Sequence, residues 1–192
     1  MEKLSARDRI IEAAYKLFSE RGYHGTTTRE IARAASVSEV TLFRIFGTKE
    51  ALFEEVLKAK SIIPDLVAML NELDHRELKD LLYSLAKKIY STLVAKKRFI
   101  MITLSEVNQY SEKVINVYQK LINEIDDLLV KIFSKHRDNN RTADLKIVAM
   151  GFRGMIFDLF LTNEILLRKN ISTMELEHVL SSYVGMVLNS IK

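Results

Sequence analysis

The stretch that most constrains this chain is Thr27–Lys49, TTREIARAASVSEVTLFRIFGTK. Thr27 followed three residues later by Glu30 is a capping-box pattern, so a helix is predicted to start at Thr28. Ile31, Ala32 and Ala35 then fall on one side of it at helical spacing. Ser36-Val37 leaves room only for a tight turn, and the Ser38 hydroxyl can cap a second helix. Leu42 and Phe46, four apart, face inward, which leaves Glu39, Val40, Thr41, Arg44 and Ile45 nearer the surface. Two short helices joined by so short a turn make a helix-turn-helix, whose second helix can enter a DNA major groove.

That unit needs support, because two short helices alone bury too little surface to hold their angle. Ser5 with Asp8 resembles a capping box and opens a preceding helix through about Glu20, with a stripe of Ile10, Ala13, Ala14, Leu17 and Phe18. Gly22 stands where a left-handed C-cap residue is wanted. On the other side, Gly47 permits a turn and Thr48 caps a helix over Lys49–Ser61, with Pro64 marking its end or a kink. The expected organisation is a helix-turn-helix domain over residues 1–48, a connecting helix over 49–63 and a second domain over 64–192.

Composition supports an all-α chain of about nine helices: a single proline, six glycines and 48% apolar residues in 192. The absence of cysteine excludes disulfides and thiolate metal sites. MEKLSARDRI has no apolar signal core and no apolar run reaches membrane-spanning length, so a cytoplasmic protein without membrane association is expected. The net charge is +4. Met1–Lys49 holds nine Lys/Arg against six Asp/Glu, so most of the excess sits with the helix-turn-helix, as attraction to phosphate requires.

Beyond Asp65 the pattern is a helical bundle. Glu77–Ala95 carries Leu78, Leu81, Leu82, Leu85, Ile89 and Leu93 on one side, followed by Lys96-Lys97-Arg98, a basic cluster that complements a helix C-terminus. Phe99–Tyr110 is a shorter apolar segment, and Ser111 is a candidate cap for a long helix through about Lys135. Asp138–Arg141 reads as a polar loop. Val148–Leu161 is apolar nearly all round, interrupted by Arg153 and Asp158, and must be covered on every side. One side can face its own core and the other a second subunit, with Gly151 and Gly154 allowing close approach. Ser172 and Glu175 cap a last helix with a seam of Leu176, Val179, Leu180, Tyr183, Val187 and Ile191. The candidate dimer interface is Gly151, Gly154, Asp158, Leu161, Leu176, Val179, Leu180, Tyr183 and Val187. Asp158 and Arg153 could pair across it. The aromatic and methionine excess suggests a mostly apolar pocket lined by Phe99, Met101, Tyr110, Tyr118, Ile122, Phe152, Arg153, Met155 and Phe157.

Residues 10–57 resemble the DNA-binding domain of the TetR family of bacterial transcriptional regulators. The resemblance is carried by Ala13-Ala14, Leu17-Phe18, Arg21-Gly22-Tyr23, Thr27-Thr28, Ile31-Ala32, Ala35, Val37-Ser38, Leu42-Phe43, Phe46, Lys49-Glu50 and Leu52. Ser36 stands where the family usually has glycine, tolerable if that residue does not need positive φ. Phe43 and Ile45 stand where the family commonly has phosphate-contacting tyrosine or histidine, and neither can donate a side-chain hydrogen bond. The resemblance implies phosphate contacts from Thr27 or Thr28 and from Lys49, and a base or backbone contact from Arg29. Glu39, Val40, Thr41 and Arg44 would face the groove, with Ser38 and Phe43 beside them. There Arg44 suits guanine, Thr41 a thymine methyl and Glu39 cytosine.

Catalytic patterns are missing. The four histidines, His24, His75, His136 and His178, are scattered, no HxxxH pair exists, and no phosphate-cradling glycine loop or GxSxG occurs. Neither a metal nor a cofactor is expected. The reading is a ligand-responsive transcriptional repressor: a homodimer on a palindromic double-stranded operator, released by a small, largely apolar organic effector. The alternative is a ligand-binding or adaptor protein of the same fold without sequence-specific DNA binding.

Overall fold

The computed structural model describes residues 4–71, 77–106, 112–137, 142–169 and 171–191. These residues form ten α-helices and no strand. They are α1 (Ala6–Arg21), α2 (Thr28–Ala34), α3 (Glu39–Phe46), α4 (Lys49–Lys60), α5 (Ile63–Asn71), α6 (Leu78–Ala95), α7 (Lys97–Ser105), α8 (Glu112–Ser134), α9 (Leu145–Phe160) and α10 (Thr173–Ile191). The candidate pocket residue Tyr110, the candidate cap Ser111, the loop 138–141 and His75 lie outside the described residues.

The chain divides into two compact units: Met1–Ser61 with Lys96–Leu121, and Ile62–Ala95 with Ile122–Lys192. The division is therefore not the contiguous one expected, because α7 and the first half of α8 belong with the helix-turn-helix. The core of the first unit explains why. Ile10, Ala14, Phe18, Ile31, Leu42, Leu52, Phe53 and Val56 are buried together with Phe99, Val114 and Val117. Each large apolar side chain fully buried there contributes roughly 1.5–3 kcal/mol. Phe99 packs edge-on to Tyr15 at 5.4 Å, and Tyr118 edge-on to Phe53 at 5.8 Å. Phe99 and Tyr118 are thus core residues of the first unit and not lining for a pocket in the C-terminal bundle. Met101 is 39% exposed on α7.

In the second unit the buried faces of α5, α6, α8, α9 and α10 supply Leu66, Leu81, Leu82, Leu85, Leu129, Phe133, Phe152, Ile156, Phe160, Leu180, Val184 and Val187. Phe152 is fully buried, edge-on to Phe133 at 6.0 Å, so it too is core. Leu180 and Val187 are also buried in this unit's own core, which removes them from the expected dimer interface. Arg153 corrects a further expectation. Its guanidinium holds Asp126 of α8 in a fork, with Nε to Oδ1 at 2.7 Å and a terminal nitrogen to Oδ2 at 3.2 Å. Asp126 is buried, so the charge of Arg153 is compensated within the chain and needs no partner from a second copy.

After Phe160, α9 widens into a π-helical turn over Leu161–Leu166. Tyr90 of α6 donates from its hydroxyl to Glu164 in that turn at 3.4 Å. Burial, then the Glu164 charge, pushes the Tyr90 phenol up to about 12. No helix among the described residues is long and apolar enough to cross a membrane.

Candidate nucleic-acid interface

The capping box at Thr27 forms in full. Thr27 Oγ1 accepts from the Glu30 amide at 3.2 Å, and Glu30 Oε2 accepts from the Thr27 amide at 3.0 Å. These bonds to Thr27, and then Arg21, hold the Glu30 carboxyl below the usual carboxylate range. Ser38 Oγ accepts from the Thr41 amide at 3.1 Å and lies 2.9 Å from Thr41 Oγ1. Thr48 caps α4 in the same way, accepting from Ala51 at 3.0 Å. Each cap satisfies an amide that a helix start leaves without an intrahelical partner.

The turn between α2 and α3 is a Schellman motif. Val37 N–H reaches Ala32 C=O at 3.0 Å and Ser36 N–H reaches Arg33 C=O at 3.1 Å. This geometry needs a left-handed residue, and Ser36 takes it with φ 54°. The position therefore does require positive φ, and serine carries there a strain of order 1–2 kcal/mol that glycine would avoid.

The loop before α2 is held from several directions. Gly22 has φ 73°, and the Thr26 hydroxyl, fully buried, donates to Gly22 C=O at 2.8 Å. Tyr23 N–H donates to Glu106 Oε2 at 2.9 Å, from the residue that ends α7. A Cβ at Gly22 would lie 2.2 Å from that carboxylate, so the close approach requires glycine. Lys49 Nζ donates to Tyr23 C=O at 2.6 Å and stands 4.2 Å above the Tyr23 ring. Burial holds the Lys49 ammonium below the ordinary lysine range, against the opposing pull of Glu50, Glu106 and Glu30. The roles of Thr26 and Glu106 are not visible in the sequence: Glu106 lies 83 residues from Tyr23 and no local pattern links them.

Several groove candidates are thus occupied by one another. Lys49 is committed to Tyr23 and is not a free phosphate donor. Thr28 Oγ1 donates to Glu39 Oε1 at 2.5 Å, linking the starts of α2 and α3, and both residues are partly buried. What remains outward is Arg29 and Arg33 on α2, and Val40, Phe43 and Arg44 on α3. Val40 is 78% exposed and Phe43 41%, unusual for apolar side chains one helical turn apart.

A capped, rigidly supported helix-turn-helix with an exposed second helix defines a DNA-binding protein of the regulatory kind. Residues 10–56 match the family described as bacterial regulatory proteins, tetR family. Over 155 residues the chain is 27% identical to the negative transcriptional regulator IcaR of the biofilm operon icaADBC in Staphylococcus aureus, covering 81% of this chain and 80% of that protein. It is 34% identical over 122 residues to the HTH-type transcriptional regulator YvkB of Bacillus subtilis, covering 64% and 62%. Its fold is that of FadR from Bacillus subtilis, a transcriptional regulator solved with stearoyl-CoA, at TM-score 0.65 and 19% identity, over 96% of this chain and 99% of that one. Residues 10–56 thus carry the DNA-binding domain of the tetR family of bacterial regulatory proteins.

Proposed function

We propose that this regulator is a repressor that binds a palindromic operator as a homodimer and is released when a small organic effector enters its C-terminal bundle. The observation that carries the DNA half is the outward set Arg29, Arg33, Val40, Phe43 and Arg44 on a helix pair whose two N-termini are capped by the Thr27 and Ser38 hydroxyls. Repression is inferred from the likeness to IcaR, a negative transcriptional regulator. Dimerisation draws on the outer face of α9 and α10. Ile147, Met150, Met174 and Met186 are exposed at 67%, 49%, 81% and 56%, and a Cβ at Gly151, Gly154 or Gly185 would meet only open space. An apolar stripe with room for a second backbone suits an isologous interface. The interface residues are then Gly151, Gly154, Asp158, Leu161, Leu176, Val179 and Tyr183. For the effector, Met155, Phe157 and Ile122 remain pocket candidates, and long-chain acyl-CoA is the first class to try.

The test is selection from a random duplex pool. Enriched duplexes should contain an inverted repeat whose half-sites are one turn apart, about 34–36 Å, or a multiple of it. Added effector should release the duplex, and operator must lower effector affinity by the same factor. A second reading, a ligand-binding protein without sequence preference, is favoured by the engagement of Lys49 with Tyr23 and by the donor-free Phe43 and Ile45. It predicts salt-sensitive binding to any duplex and no enrichment.

A further inference from the structure

We infer that α3 reads its operator mainly through apolar contact with thymine C5-methyl groups, made by Val40 and Phe43. This rests on the operator-binding reading above and names the bases that the site would take. The polar side chains that could read base edges from the start of α3 are bonded within the protein. Glu39 accepts from Thr28, and Ser38 and Thr41 are engaged with each other and with the cap. Arg44 is the one exposed residue of α3 whose side chain carries hydrogen-bonding groups.

Between them the surface is hydrocarbon. Val40 and Phe43, three residues apart and therefore neighbours on one face, expose 78% and 41% of their surface. In the major groove, thymine is the base that offers a methyl group, and apolar side chains discriminate it from cytosine by burying that methyl. Arg29 and Arg33, exposed on α2, supply positive charge beside the stripe, which suits a polyanion over an apolar protein partner. A half-site with thymine under Val40 and Phe43, flanked by a base that Arg44 can bond, is the duplex this surface fits.

The experiment replaces thymidine by deoxyuridine, which removes only the C5-methyl, in a duplex selected by the full-length protein. Binding is measured by fluorescence anisotropy. Each methyl lost from contact should weaken binding by about fourfold, the factor for one buried methylene-sized group. Symmetric replacement in both half-sites should weaken it by about fifteenfold by the same reckoning. Val40→Ala and Phe43→Ala, both at exposed positions, should bind the thymidine duplex more weakly and lose most of their sensitivity to the replacement. Equal binding of thymidine and deoxyuridine duplexes by the unaltered protein overturns this inference and leaves operator binding standing. A pool from which no duplex is enriched overturns both.

Discussion

The helix-turn-helix and the α9–π-turn segment are both helical, and they are held by different kinds of interaction. Around α2 and α3 the decisive bonds span three residues: Thr27 to Glu30, Ser38 to Thr41 and Thr48 to Ala51. Around α9 they span 27 residues, from Arg153 to Asp126, and 74, from Tyr90 to Glu164. The first kind satisfies helix termini in water. The second keeps polar groups satisfied where water is excluded, so losing one partner leaves a group that cannot be resolvated cheaply.

The largest expected effect is therefore in the second unit. Arg153→Met should cost about 3–5 kcal/mol in urea unfolding, because the Asp126 carboxylate stays buried without its partner. Replacing both members, Arg153→Met with Asp126→Leu, should recover most of that loss. A double variant as unstable as the single one would show that packing around the pair, and not its charge, is what matters.

Glu106→Ala comes next. It leaves the Tyr23 and His24 amides without their carboxylate acceptor, and a loss of about 2 kcal/mol is expected for a charged acceptor. The same variant should raise amide hydrogen exchange at Tyr23 more than at Thr28. Thr27→Ala should cost about 1 kcal/mol, the usual value of an N-cap. Ser36→Gly should go the other way and stabilise by about 0.5–1 kcal/mol, since glycine takes φ 54° without Cβ strain.

The smallest effect is a pH dependence. Glu30 has its folded pKa lowered, so its contribution is present above the ordinary carboxylate pKa and is lost as pH falls through the depressed folded value. The unaltered protein should lose slightly more stability on acidification than Glu30→Gln, in which position 30 no longer titrates. Parallel acid profiles would assign the shift elsewhere.

Legibility in the sequence followed the same division. The caps at Ser5, Thr27, Ser38, Thr48 and Ser172 could be read because donor and acceptor lie within one turn and carry a residue pattern. Asp126 and Glu106 could not, since each meets its partner only after the chain has folded back. Arg153 stands out in the sequence as a charge in an apolar helix, but a partner 27 residues away leaves no local pattern, so the sequence alone points as readily to a second subunit. Phe99 and Tyr118 read as pocket lining for a similar reason: an aromatic on a helix looks alike whether it faces a cavity or another unit's core. At Ser36 the turn was legible and its handedness was not, because serine does not announce the left-handed backbone that glycine would have marked.

The central claim is that the outward face of α2 and α3 reads sequence, not merely phosphate. It is tested most directly by the ratio of affinities for a selected duplex and for a scrambled duplex of the same length and composition, at one physiological salt concentration. A ratio of about 10³ or more is expected, in the range of specific DNA-binding proteins. Equal affinities, falling together with salt, would contradict it.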